Sequence, residues 1–288
     1  MYFLNNKFYY LFLLFLTQVS CQNHGKLEFI ADLPSSLKEN SGIESYDGTT
    51  VWIIEDNGNE DELYQVNFKG ELVKSFEVKN AKNTDWEDLT KDKEGNMYIG
   101  DFGNNDNARK DLVIYKLPSP EKESGDKIDA KKIKFHYPEQ KKFPPKKAKR
   151  FYDAEALFHH GKQLYIITKN RSNPFSGDAL IYTVPDTKGE YTAKRIGTIN
   201  LCDDWETCQI TSIAISPDGK KIVALSYGKL FVFTDFTWDD FSKGKMTTID
   251  LGLRTQLEAV CFTDNTTLLL SDEVSHLKGG NLYSYALK

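Results

Sequence analysis

Five oxygen-bearing side chains occupy one equivalent position in five short segments of the sequence. The segments read SGI, EDL, EAL, TSI and EAV, and their first residues are Ser41, Glu87, Glu155, Thr211 and Glu258. Each of these residues comes just before a predicted strand or at its start. Three carboxylates and two hydroxyls around one point suit a hard cation, and Ca²⁺ accepts about six to eight oxygen ligands in flexible geometry.

A narrow channel makes the three carboxylates costly, because like charges repel one another and lose their hydration. Bound Ca²⁺ relieves this cost, whereas Mg²⁺ fits less well since it prefers a tight octahedron and keeps its own waters. The alternative is a polar, water-filled channel that holds no metal. The residue types favour the calcium site over this alternative.

The elements that would position these residues form an internal repeat. After the oxygen-bearing residue come an aliphatic residue, a turn, a short apolar strand (VWII, MYIG, LYII, IVAL or LLLS), a loop and a further apolar strand. A fourth strand follows in four of the five repeats. Four-stranded units that repeat at this spacing around a channel are typical of a β-propeller. We therefore predict an all-β fold, a five-bladed β-propeller that forms one domain over residues 26–288.

The first predicted strand, KLEFIADL at 26–33, belongs to no repeat, and the fifth repeat lacks its fourth strand. We predict that this N-terminal strand completes the last blade. Closure of this kind removes the open sheet edges that invite aggregation. The match favours five blades over six.

The loops between the second and third strands of the blades open on the face where the five equivalent residues lie. They carry the charged residues Asp56, Asp101, Lys169, Arg171 and Asp272. Loops on one rim of a rigid scaffold are where sites usually form. The basic segment 140–150 lies on the same face, and we interpret it as a solvated loop. Four further loop residues we interpret as turn formers only: Asn57, Gly58, Asn104 and Asn105.

The order Ser, Glu, Glu, Thr, Glu, one per repeat, resembles the calcium-dependent apyrases (soluble calcium-activated nucleotidases). The stretches GKQLYIITKNRS after Glu155 and SPDGKKIVALS after Thr211 are also similar. A weaker resemblance, carried by DAEAL at 153–157, is to phytase-like esterase propellers. The chain departs from the apyrases at 168–170, TKN, where they carry paired arginines.

The apyrase resemblance implies an axial Ca²⁺ and hydrolysis of a phosphate-bearing small molecule. The metal would bind phosphate oxygens and polarise the phosphorus. Asp56 or Asp101 would orient the attacking water, and Lys169 with Arg171 would neutralise the leaving phosphate. The metal ligands would be the five equivalent residues Ser41, Glu87, Glu155, Thr211 and Glu258.

Residues 1–21 are typical of an export signal. The apolar run at 8–16 is too short to span a bilayer. The ending Val19-Ser20-Cys21 resembles a bacterial lipobox, although Gln18 stands where Leu is usual. We expect a bacterial lipoprotein that is exported and anchored to the membrane through Cys21, on the periplasmic or surface side. Cleavage near Cys21 without lipidation is the alternative.

The other cysteines indicate no zinc site. Cys202 and Cys208 flank a short acidic loop with no second Cys/His pair nearby. They form either a disulfide, which export permits, or two free thiols. Cys261 in the apolar strand AVCF is expected to be a small buried hydrophobic residue.

The overall charge argues against a nucleic-acid partner. The chain has 37 basic and 42 acidic side chains, a formal charge of −5. A nucleophile elbow, a P-loop and an HExxH motif are all absent from the sequence. We expect a monomer that is either a calcium-dependent phosphohydrolase or a non-catalytic surface lipoprotein. In the second case the face binds a glycan, peptide or protein, and the calcium is structural.

Substitution of Cys21 tests the membrane anchor. Cys21→Ser should move the protein from the membrane to the soluble fraction, because the acylated side chain is lost. Fractionation of the cells, followed by immunoblotting, measures this. A wild-type protein that is already soluble would favour ordinary cleavage of the signal.

Overall fold

The computed structural model describes residues 23–275 and 278–288. The predicted export signal and Cys21 lie outside these residues. Within them, no helix is long and apolar enough to cross a membrane. The only helical segments there are three single 3-10 turns, at Pro120–Lys122, Lys147–Lys149 and Phe241–Lys243.

Twenty-two strands make up the described structure. The first eleven are β1 Glu28–Asp32, β2 Asn40–Glu44, β3 Thr50–Glu55, β4 Glu62–Asn67, β5 Leu72–Lys79, β6 Trp86–Lys91, β7 Met97–Asp101, β8 Val113–Leu117, β9 Lys127–Asp129, β10 Lys131–His136 and β11 Asp153–His160. The others are β12 Gln163–Lys169, β13 Asp178–Pro185, β14 Gly189–Thr192, β15 Lys194–Asn200, β16 Ile210–Ile215, β17 Ile222–Ser226, β18 Lys229–Thr234, β19 Lys245–Asp250, β20 Leu257–Phe262, β21 Thr267–Asp272 and β22 Asn281–Ala286.

These strands form five sheets, which are the five blades of a propeller and confirm the predicted fold class. From the inside outwards, blade 1 is β2-β3-β4-β5-β9 and blade 2 is β6-β7-β8-β10-β14. Blades 3, 4 and 5 are β11-β12-β13-β15, β16-β17-β18-β19 and β20-β21-β22-β1. The innermost strands contact one another in a closed ring, β2-β6-β11-β16-β20 and back to β2.

The N-terminal strand closes the ring as predicted. β1 pairs antiparallel with β22, and Glu28 lies opposite Ser284. The last blade therefore has four strands although its repeat supplies three. Pairing across the two ends of the chain covers the edge that β22 would otherwise expose.

Two outer strands link neighbouring blades and were not predicted. β9, in the connection from β8 to β10, pairs parallel with β5 of blade 1. β14, in the connection from β13 to β15, pairs parallel with β10 of blade 2. Their sequences, KID and GEYT, are short and polar, so they carry too little apolar periodicity to be recognised.

Burial along the strands follows their position in the blade. β3 (TVWIIE) is buried at every residue except the first, because neighbouring blades cover both of its faces. In the outer strand β10 only Ile133 and Phe135 are buried, and the other four residues of the strand are exposed. The continuous apolar runs in the sequence therefore mark the inner strands, and alternation marks the outer ones.

The three cysteines of the described residues form one disulfide and one buried thiol. Cys202 and Cys208 are bonded to each other, with their Cα atoms 5.6 Å apart. Cys261 is free and buried, as predicted. Of the two states that the sequence left open for the pair, the structure contains the disulfide.

The centre of the propeller is closed by the buried carboxylate of Asp88, at the start of blade 2. Asp88 Oδ2 accepts a hydrogen bond from the Leu157 amide of blade 3 at 2.8 Å. Asp88 Oδ1 accepts one from the Ser212 hydroxyl of blade 4 at 3.1 Å. Ser212 Oγ in turn accepts from the Val260 amide of blade 5 at 3.2 Å. Blade 1 reaches the same point through Gly42, where a Cβ would lie 2.7 Å from the Leu89 nitrogen.

Asp88→Ala should lower the free energy of unfolding by about 3 kcal/mol or more, because it leaves several buried donors without an acceptor. Urea unfolding in the presence of a chelator measures this. The exposed Asp106→Ala is the matched control and should change stability by no more than about 0.5 kcal/mol. An equally small effect of Asp88→Ala would show that the five blades do not depend on this carboxylate.

Candidate functional site

Each of the five equivalent residues is the extra residue of a β-bulge in the innermost strand of its blade. The pairing register shifts between Asn40 and Gly42, and at the corresponding places in the other four blades. The residues at the bulges are Ser41, Glu87, Glu155, Thr211 and Glu258. A bulge inserts one unpaired residue and redirects its side chain. The repeat alignment was therefore right, and in the structure each aligned residue is the one that the bulge inserts.

Two of the five residues come together, in a cluster of carboxylates on blades 1, 2 and 3. In one group the carboxylate oxygens of Asp56, Asp85 and Glu87 lie within 4.8 Å of one another. In the second group those of Glu87, Asp153 and Glu155 do so. Glu87 belongs to both groups. We call these five residues the carboxylate cluster.

The remaining three equivalent residues have other partners. The Ser41 hydroxyl donates to the Trp86 carbonyl at 2.8 Å, and the Thr211 hydroxyl donates to the Leu257 carbonyl at 2.7 Å. Each acceptor directly precedes the equivalent Glu of the next blade. Glu258 joins no carboxylate group in the described part of the chain. Burial raises the pKa of Glu258, and the positive charge of Lys169 opposes this shift.

Half of the carboxylate cluster is neutralised by the chain itself. Arg171 donates through Nε to Asp153 Oδ2 at 2.5 Å and through Nη2 to Glu155 Oε1 at 3.1 Å. Lys169 Nζ lies 3.1 Å from Glu155 Oε2. Burial alone would lower the pKa of Lys169, but the charges of Glu155 and Glu258 raise it well above 10.5. The Asp153–Glu155 half therefore has two cations beside it, although burial and the charge of Glu155 still raise the pKa of Asp153 to about 7.

The other half has no ion-pair partner among the described residues. Asp56, Asp85 and Glu87 form none of the salt bridges found there. Burial, followed by the charge of Glu155, raises the pKa of Glu87 well above 4.5. Burial and the charge of Asp85 raise the pKa of Asp56 to about 7, although a hydrogen bond from the Asn57 backbone N–H acts in the opposite direction. These three acids are costly to ionise without a bound cation.

Asp101, the other aspartate predicted to orient water, lies apart from both groups. Its carboxylate is buried, accepts from Arg109 Nη2 at 2.8 Å and accepts from the Asp85 amide at 3.1 Å. These contacts hold the loop that carries Asp85. The structure thus places Asp56, Lys169 and Arg171 at the carboxylate cluster, and it places Asp101 behind it.

Sequence reasoning missed Asp85 and Asp153, and it misjudged Asn57. The Asn57 side chain donates through Nδ2 to Asp85 Oδ1 at 2.7 Å, so the interpretation of Asn57 as a turn former only was wrong. Asn104 donates to Asp153 Oδ1 at 2.6 Å through its backbone N–H, a contact that does not depend on the asparagine side chain. The signal for the missed acids was present as the spacing D-x-E, in DWE at 85–87 and DAE at 153–155.

Gly103 also belongs to the site. A Cβ at this position would lie 2.0 Å from Glu87 Oε1 and 2.5 Å from Asp85 Cγ. The backbone of the loop after β7 therefore lies directly against the two acids, and a larger residue would displace them.

No protein-family model matches the chain, and no curated protein matches it. Among solved structures, the chain is similar to the PQQ-bound form of aldose sugar dehydrogenase from Streptomyces coelicolor. The TM-score is 0.53 at 10% identity, over 90% of this chain and 97% of that chain. A likeness at this identity shows the propeller fold alone. The resemblance to the apyrases stays a prediction.

The raised pKa of Asp56 predicts a pH-dependent effect of its substitution in metal-free protein. In the folded state the pKa is about 7, against an ordinary 3.8, so the wild type loses stability as the pH rises through this range. Asp56→Asn removes the titrating group. The gain in stability from the substitution should therefore be larger at pH 8 than at pH 4.5, as measured by urea unfolding with chelator present.

Asp264→Asn is the matched control, because hydrogen bonds from Thr266 and Thr267 lower the pKa of Asp264 to about 2. Its effect on stability should be nearly the same at both pH values, since both lie above its titration range. A pH-independent effect of Asp56→Asn would contradict the raised pKa.

Proposed function

We propose that this protein is an exported, membrane-anchored, calcium-dependent hydrolase of a phosphate-bearing anionic substrate, with its site on the propeller face at the carboxylate cluster. The observation that carries the proposal is the group of three carboxylates, Asp56, Asp85 and Glu87, that lacks a positive partner among the described residues. The anchor at Cys21 and the export signal enter the proposal from the sequence.

The donor set fits a calcium ion. All three ligands are carboxylate oxygens, the donors that hard cations prefer. Two oxygens on opposite sides of a Ca²⁺ ion are about 5 Å apart, given Ca–O distances of about 2.3–2.6 Å. The observed separations of at most 4.8 Å agree with this. The proposed ion therefore lies off the axis, between blades 1 and 2, because hydrogen-bonded Asp88 occupies the axis.

A bound calcium ion supplies polarisation of a phosphoryl oxygen and a reactive water. Among the described residues that contact the carboxylate cluster, Arg171 is the more accessible cation for the anionic substrate. Arg171 is 23% exposed at its side chain, whereas Lys169 is 5% exposed and enclosed by Glu155 and Tyr227. Asp56 is the partly exposed member of the group, whereas Asp85 and Glu87 are buried. Lys169 fixes the position of Glu155 and does not contact the substrate.

Calcium should raise the unfolding temperature of the metal-free protein, by mass action. At a hundred times the dissociation constant the gain in the free energy of unfolding is about 2.7 kcal/mol. Glu87→Gln should reduce this gain. In chelator the same substitution should be neutral or stabilising, because it removes a carboxylate from a repulsive group. Thermal unfolding with and without calcium measures both effects.

Glu258→Gln is the matched control, since Glu258 is an equivalent bulge residue that lies outside both carboxylate groups. For the off-axis site, this substitution should leave the calcium gain unchanged. An equal loss in Glu258→Gln and Glu87→Gln would support the axial set of five ligands instead. Failure of calcium to stabilise demonstrably metal-free protein would contradict both sites.

A screen of nucleotides and simple phosphoesters, with calcium or with chelator, tests the reaction itself. Calcium-dependent release of phosphate that is lost in Glu87→Gln supports the hydrolase. The second candidate is a non-catalytic binding protein with structural calcium. It is favoured by the fact that Glu155 already binds both Lys169 and Arg171. Calcium stabilisation without turnover of any substrate in the panel would support that second function.

A further inference from the structure

A cavity of about 460 Å³ lies beside the carboxylate cluster and shares only Arg171 with the proposed reaction. Lys147, Arg150, Arg171, Phe175 and Trp205 are among the residues that line it. Arg171 thus lies between this cavity, which we call the Trp205 pocket, and the carboxylate cluster. A volume of this size accommodates one or two small rings.

Two cations of the Trp205 pocket have no acidic partner. Lys147 and Arg150 form none of the salt bridges found among the described residues. The buried Nε of Arg150 also has no hydrogen-bond partner there. A buried donor without an acceptor is costly, and an anionic ligand would supply the missing acceptor.

The aromatic wall of the pocket is exposed. Trp205 is 46% exposed, and the Phe175 ring meets it edge-on with centroids 5.2 Å apart. Trp205 and Phe175 together present an aromatic surface beside the cations of the pocket. The Trp205 ring offers an apolar platform on which the C–H face of a sugar can lie.

Both walls are held in place without a ligand. The Arg171 amide donates to the Arg150 carbonyl at 3.0 Å, and the Asn173 amide donates to the Lys147 carbonyl at 3.1 Å. On the other side, Trp205 lies inside the loop that the Cys202–Cys208 disulfide closes. The pocket is therefore preformed, which reduces the entropy that a ligand loses on binding.

Positive charge continues away from the pocket along residues 141–150, KKFPPKKAKR, which hold six Lys and Arg residues. We call this segment the basic ridge. Phe143 is the exposed aromatic residue of the ridge, and the Lys110 ammonium lies over its ring, 5.0 Å from the centroid. The pocket thus offers one free aromatic platform, and the ridge offers charge alone. Single-stranded nucleic acid is bound by successive aromatic platforms, which this surface lacks.

We propose that the Trp205 pocket and the basic ridge bind an acidic polysaccharide. One sugar ring lies on Trp205, its carboxylate or sulfate contacts Arg150 and Lys147, and further acidic sugars follow the ridge. This site goes beyond the proposed hydrolase function and requires no calcium. Its ligand class is a glycan chain whose units carry carboxylate or sulfate groups.

Binding is tested on the purified chain in chelator, so that calcium bridges between acidic sugars do not contribute. The probes are a galacturonic acid trimer, a sulfated heparin tetrasaccharide, neutral cellotriose and a uridine dodecamer. Isothermal titration calorimetry and tryptophan fluorescence measure the affinity. We expect at least one acidic oligosaccharide to bind, and to bind more weakly as the salt concentration rises.

Trp205→Ala should weaken that binding at least about tenfold, and Arg150→Gln should do the same, because each removes a central contact. Phe29→Ala and Lys131→Gln are matched controls, an exposed aromatic and an exposed lysine on other parts of the surface, and should leave the affinity unchanged. Glu87→Gln should also bind the glycan normally. Loss of calcium stabilisation with glycan binding intact would therefore separate this site from the hydrolase.

Three results would overturn the proposal. The first is absence of binding by both acidic oligosaccharides. The second is equal binding of cellotriose, which would make the cations irrelevant. The third is tighter binding of the uridine dodecamer, which would identify the ridge as a nucleic-acid surface. Circular dichroism of each variant establishes that a lost affinity does not reflect unfolding.

Discussion

The propeller depends on a carboxylate that is buried where its blades meet. Asp88 accepts hydrogen bonds from blades 3 and 4, and Ser212 extends the network to blade 5. Donors that would otherwise be unsatisfied in the narrow centre thus share one acceptor, and this stabilisation is lost if a blade that supplies a donor separates from the others. Because this network occupies the axis, a ligand on the axis can bind only above it, on the face to which the bulges direct their side chains.

The face repeats one kind of contact between neighbouring blades. The side chain of Asn57 in blade 1 donates to Asp85 of blade 2, and the backbone N–H of Asn104 in blade 2 donates to Asp153 of blade 3. Blades 1 and 2 therefore each position the acid that stands two residues before the bulge of the next blade. The acids are fixed by hydrogen bonds before any ligand arrives, which is the condition for a site of defined geometry.

The two halves of the carboxylate cluster differ in whether positively charged side chains form ion pairs with their acids. The Asp153–Glu155 half is compensated by Arg171 and Lys169, so it stabilises the loops of blade 3. The half formed by Asp56, Asp85 and Glu87 is uncompensated and suits a cation. Arg171 also lines the Trp205 pocket. A ligand in that pocket would therefore lie next to the side chain that orders the compensated half of the cluster.

The sequence by itself determined the fold: five repeats of an oxygen-bearing residue followed by apolar strands, and an unmatched first strand that completes the last blade. It did so because these features are local and periodic. It also aligned the five oxygen-bearing residues, Glu87 and Glu155 among them, at equivalent positions of the repeats. Only the tertiary structure decided that Glu258 stays apart, that Lys169 and Arg171 bind Glu155, and that Asp88 closes the axis. Those outcomes depend on which loops of neighbouring blades approach each other, and on which charges remain unpaired when they do. The spacing of residues along the sequence specifies neither these loop contacts nor the charges that remain unpaired.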